Sequence, residues 1–70
     1  MDRIPVASSS IASIGYDEVS VVLEIEFVHG GVYQYFGVPE HVYQELMGAS
    51  SMGAYFHNQI RNRFSTAKVS

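Results

Sequence analysis

Four groups of residues in this 70-residue chain are of types that could do chemistry: three histidines, two alternating carboxylates, two alternating tyrosines and a small set of cations. His29, His41 and His57 are not i, i+4 neighbours of one another, and there is no cysteine, so neither an HExxH site nor a Cys/His zinc set can be read. Glu24 and Glu26 share one face of a strand, and carboxylates so placed can serve as general acid and base. No histidine, lysine or metal motif accompanies them, and an ordinary solvated strand face accounts for both. Gly30-Gly31 lacks the G-x-G-x-x-G and lysine context of a phosphate loop, and no G-x-S-x-G elbow occurs. An enzyme is therefore not expected, nor a metal, a cofactor or a small-molecule substrate.

Binding chemistry is better represented. Tyr33 and Tyr35 lie on one side of one strand, and Arg61, Arg63 and Lys68 follow near the end of the chain with Asn58, Gln59 and Asn62 beside them. Aromatics on a sheet stack unpaired bases while Arg and Lys hold phosphates. The same tyrosines can instead fill a core or join two copies of the chain. Low overall basicity weighs against nucleic acid, because its binding surfaces are strongly positive as a rule. Net charge is −3, unevenly spread. All seven acids precede residue 46, against Arg3 alone; Arg61, Arg63 and Lys68 follow it with no acid. Cations near a helix C-terminus also have a purely structural use, complementing the helix dipole.

These residues must be positioned by a very small fold. Seventy residues allow one domain, expected over 1–70, which buries only about 60% of its unfolded surface. Without disulfides, self-association is one remedy for thin stability. No apolar run approaches a membrane span and no secretory signal is legible, so a cytoplasmic location is expected.

Residues 11–17 read as a first strand, with Gly15 marking a bulge, a bend or a close backbone approach. Alternation places Ala12, Ile14 and Tyr16 on one face and Ile11 and Ser13 on the other. Residues 20–28 form the clearest strand, burying Val21, Leu23, Ile25 and Phe27 and wetting Glu24 and Glu26. His29-Gly30-Gly31 is a hairpin turn, and residues 32–36 the third strand. Pro39 opens a short helix to Met47, stopped by Gly48. Ser50 or Ser51 caps a second helix over 52–64, whose Met52, Phe56, Ile60 and Phe64 make a docking stripe. Gly53 weakens that helix by about 1 kcal/mol and needs a packing reason. Val6 can start an early strand, and Lys68-Val69 can add an edge strand. The fold class is α+β: an antiparallel sheet of three to five strands, bent at Gly15 and Gly37, able to close toward a small barrel, with two C-terminal helices. Its expected core is Ile14, Val21, Leu23, Ile25, Phe27, Val42, Leu46, Phe56 and Ile60.

Several of these pieces also occur in a recognisable order. Ser8-Ser9-Ser10-Ile11, Ile14-Gly15-Tyr16-Asp17, the Gly31-x-Tyr33-x-Tyr35 pattern, Val38-Pro39, and the series Ala49, Ser51, Gly53, Tyr55-Phe56 and Ile60-Arg61 together resemble the KTSC family. That resemblance covers nearly the whole chain. It implies a bent, antiparallel, Sm-like sheet with helix packed on it, in a short domain found alone in bacterial proteins and at the C-terminus of some lysyl-tRNA synthetases. The family has no assigned activity; its synthetase setting suggests RNA binding. His57 departs from the pattern, where asparagine is more usual. The resemblance makes an RNA-binding module the leading reading, with Tyr33 and Tyr35 stacking bases and Arg61, Arg63 and Lys68 on phosphates. A protein-interaction or self-association module is the alternative. The inner position expected for the tyrosine strand favours a mainly core role for the pair.

Overall fold

In the computed structural model, which describes Met1–Ser70, the strands follow one another across the sheet as they do along the chain. They are β1 (Ile4–Pro5), β2 (Ile11–Asp17), β3 (Val22–Phe27), β4 (Val32–Phe36) and β5 (Ser65–Lys68), all antiparallel to their neighbours. Two helices, α1 (Glu40–Gly48) and α2 (Met52–Gln59), come between β4 and β5. The fold is α+β as the alternation predicts. The sheet stays open, with β1 and β5 as its edges, and does not close into a barrel. The early strand lies at Ile4–Pro5 rather than starting at Val6, and the C-terminal edge strand forms over Ser65–Lys68, earlier than the expected Lys68-Val69.

Cross-strand pairing explains which face is buried. Ile14, Ile25 and Tyr33 stand in one row and Tyr16, Leu23 and Tyr35 in the next. Helices cover this face, and the core joins Ile11, Ile14, Leu23, Ile25 and Tyr35 to Val38, Leu46, Phe56 and Ile60. Ile11 enters against the simple alternation because β2 is bulged: Ile11 pairs with Phe27 while Ser13 pairs with Glu26. Two residues of β2 thus match one of β3, which moves Ile11 onto the core face. The irregularity lies between Ile11 and Ser13, not at Gly15. Phe27 and Val42 are partly buried against this core. Val21 is not part of it. It is 39% exposed in the turn before β3, at φ 53°, a conformation costly for a β-branched residue.

Gly15 serves a close approach instead. A Cβ there would run into the Asp2 carbonyl and come within 3.1 Å of Arg3 Cγ. Arg3 therefore reaches across the bare glycine to Glu24 on β3, forming the salt bridge of this face. Gln34 Nε2 donates to the other Glu24 oxygen at 2.8 Å. Ser13 Oγ accepts from Arg3 Nε and donates to Glu26, both at 2.9 Å. The expected solvated face is thus a covered polar network, with Glu24 only 6% exposed. Burial pushes the Glu24 carboxyl up, but the hydrogen bonds from Gln34 and Arg3 and the guanidinium charge outweigh it. The net effect holds its pKa below the ordinary value.

Pro39 stands immediately before α1, and Glu40 occupies its first turn, where its charge suits the helix dipole. Ser51 Oγ caps α2 by accepting from the Ala54 amide at 3.2 Å. That helix ends at Gln59, five residues short of the expected Phe64. The amides of Ile60 and Arg61 both bond to the Phe56 carbonyl at 3.0 Å, so the last turn widens and the chain swings into β5. Phe64 still packs against the core, although from outside the helix. Gly53 has its packing reason: a Cβ would stand 2.5 Å from Ser10 Oγ, in the loop laid against the helix.

Candidate nucleic-acid interface

A groove of about 580 Å³ opens where β3, β4 and β5 meet α2. Its floor is aromatic. Phe27 meets Tyr33 edge to face at 5.7 Å and Phe56 at 5.2 Å, and Tyr35 meets Phe56 at 5.4 Å. His29 stacks on Phe27 at 5.7 Å. One wall is Gly53 and His57, one turn apart on α2, with Arg61 and Asn62 in the turn just past its end; Ser10 and Thr66 complete the rim. The wide last turn of α2 is what sets Arg61 on this wall.

The two tyrosines lie on the same face, as their spacing requires, but they are not equivalent. Tyr35 is 4% exposed and belongs to the core. Burial pushes its phenol pKa up, while the Thr66 hydroxyl and the Arg61 charge draw it back. Tyr33 is half-buried, with its ring against the bare backbone of Gly31. A Cβ at Gly31, which sits at φ 92°, would be 3.0 Å from that ring and 3.5 Å from Lys68 Cε. Glycine is thus needed there for conformation and for clearance.

Of the expected cations, Arg61 lines the groove and Lys68 stands opposite Tyr33 in the β4–β5 register. Arg63 is exposed in the turn before β5 and does not line it. None of the three has a carboxylate partner; the only salt bridge is Arg3–Glu24. Arg61 Nη1 instead lies 3.2 Å from His57 Nδ1. A guanidinium can only donate, so Nδ1 accepts and the ring's other nitrogen is left as its donor. Chain position did not mark Phe27, His29 or Thr66 as neighbours of the tyrosines. The signal lay in strand parity: Phe27 and Thr66 both fall on the row face of Tyr33 and Tyr35.

His57 and His29 both border the groove, while His41 is exposed on α1. No group of three or more His, Cys, Asp or Glu side chains converges as a metal site. No helix is long and apolar enough to cross a membrane.

The family model described as the KTSC domain matches residues 7–64. The chain belongs to the KTSC domain family. The crystal structure of a KTSC domain protein from Yersinia pestis is 46% identical and superposes with a TM-score of 0.96, covering 99% of this chain and 97% of that one. An uncharacterised protein of Stutzerimonas stutzeri is 45% identical over 60 residues, 86% of this chain and 83% of its own length. A lysine–tRNA ligase of Trichormus variabilis is 40% identical over 62 residues, 89% of this chain but 11% of that enzyme. This KTSC domain is thus similar both to proteins of its own size and to a small part of a much larger one. The matched residues include the whole tyrosine strand and the whole of α2, and hence the floor and main wall of the groove.

Proposed function

We propose that this KTSC domain is a non-enzymatic cytoplasmic module that binds unpaired RNA in the groove between β4 and α2. One observation carries the reading: an aromatic floor lies beside Arg61, a cation with no carboxylate to neutralise it. Tyr33 offers a ring face for a base, and Arg61 and Lys68 stand within reach of its phosphates. Tyr35 supports the floor from within the core, and Arg63 adds long-range attraction. The similarity to lysine–tRNA ligases, enzymes named for a tRNA substrate, supports RNA as the ligand class.

A titration of single-stranded RNA against the wild-type chain and Arg61→Gln at two salt concentrations tests this. Binding should weaken with salt, and the substitution should lower affinity about tenfold, as expected for a lost charge-assisted phosphate contact. Absence of binding at low salt would refute the proposal. Self-association is a second reading, favoured by one feature: β5 is an edge strand exposed at all four residues, continuing into exposed Val69. Sedimentation over a range of concentrations decides it, and a monomer throughout would remove it.

A further inference from the structure

We infer that the groove engages only about two unpaired nucleotides, a chain end or a looped-out step, and does not track a long single strand. This rests on the RNA-binding reading and sets the size and form of the ligand. The first argument is area. At about 580 Å³ the groove is within the range of a drug-sized ligand site, about 300–1,000 Å³. Tyr35 has too little exposed surface to give a base a second full ring face. Tyr33 is left as the main platform, with Phe27 and its stacked His29 beside it.

The second argument is charge. Arg61 and Lys68 are the cations at the groove. A second hollow, separate from the groove, is lined by Asp2, Asp17, Glu18 and Glu40. This second hollow holds its own aromatic pair, Tyr16 stacked on Tyr43 at 4.8 Å. Rings of that kind would extend a base-stacking track, but these are surrounded by acids, which repel a phosphate backbone. The second aromatic pair therefore adds no platform for an RNA strand, and stacking is confined to the groove.

Titration of the intact chain with 5′-phosphorylated oligoadenylates of two, four and ten nucleotides, followed by tyrosine fluorescence and calorimetry, tests the inference. The dinucleotide should bind within about threefold of the decamer once the decamer's overlapping sites are counted, because no further contacts are gained along the strand. With two phosphates neutralised, log K against log salt should have a slope of about −1.4. Lys68→Ala should reduce that slope by about 0.7, and Arg63→Ala should change affinity by less than about twofold. Tight one-to-one binding of the decamer, more than about tenfold above the dinucleotide or with a slope steeper than about −3, would overturn the short site while leaving RNA binding intact. Failure of every oligonucleotide to bind would overturn both. Circular dichroism of each variant separates lost contacts from lost folding.

Discussion

At the scale of single residues, the backbone makes demands that side-chain chemistry alone does not announce. Val21 is the sharpest instance. Its place in an alternating apolar run argues for burial, yet the turn bends the chain so that Val21 holds a left-handed conformation at φ 53°. Its carbonyl accepts the Val38 amide at 2.9 Å, which ties the turn to the loop leading into α1. Asparagine tolerates that conformation better than valine. Val21→Asn should therefore raise stability by about 1 kcal/mol, read as a higher urea midpoint at unchanged slope. A lower midpoint would show that the half-exposed valine contributes more by packing than its backbone costs. Gly15 presents the opposite case. A strand glycine announces an irregularity, but only the fold shows that it makes room for Arg3 to cross to Glu24.

At the scale of elements, the two helices are tied to each other by a polar contact that periodicity does not reveal. Tyr55 Oη on α2 donates to Glu45 Oε1 on α1 at 2.7 Å. Burial, then this hydrogen bond and the Glu45 charge, push the Tyr55 phenol up to about 12. The phenol is held neutral more firmly in the folded chain than in the unfolded one. This contribution is complete below the ordinary tyrosine value of about 10 and is lost as pH rises through about 12. An ultraviolet titration should show the Tyr55 phenol titrating late, with Tyr16 and Tyr35 also raised, and Glu45→Gln should return Tyr55 alone toward about 10. An unchanged titration would place the cause in burial alone. The elements themselves were largely legible: period-two alternation found β2 to β4, Pro39 marked the start of α1 and the Ser50-Ser51 pair that of α2. What escaped were places where hydrogen bonding overrides pattern. The i, i+4 stripe from Met52 to Phe64 argues for one continuous helix, but two amides compete for the Phe56 carbonyl and the helix stops. The bulge in β2 is equally silent, because Ala12 is small enough to suit either face.

At the scale of the molecule, the sheet carries an apolar layer under its helices and a polar one under its N-terminal segment. Total stability for this length is on the order of 5 kcal/mol, so the polar layer should matter. Its pH dependence has a definite sign. Glu24 is held below its ordinary value by net hydrogen bonding and charge, so its contribution is present above the unfolded glutamate range, about 4.3. It is lost as pH falls through the lower, folded value. Arg3→Met removes one partner while burial still pushes the carboxyl up, and acid unfolding should then begin at a higher pH than in the wild type. Denaturation midpoints followed from about pH 7 to about pH 3 check this; coincident profiles would mean that Gln34 alone satisfies the carboxylate. The groove was partly legible at this scale too. Tyr33, Tyr35 and Arg61 were singled out by type, but the helix end that brings Arg61 to the tyrosines, and the burial that separates Tyr35 from Tyr33, depend on tertiary packing. The bulge has one more consequence, for how the chain can vary in length. Ala12 is the unmatched residue between Ile11 and Ser13, so its loss would shorten β2 and cost the Val6–Ala12 hydrogen bond, yet leave Ile11 over Phe27. Removing any residue from Ser13 to Tyr16 would exchange inside for outside along part of the strand. In β2, a one-residue deletion can be absorbed at Ala12.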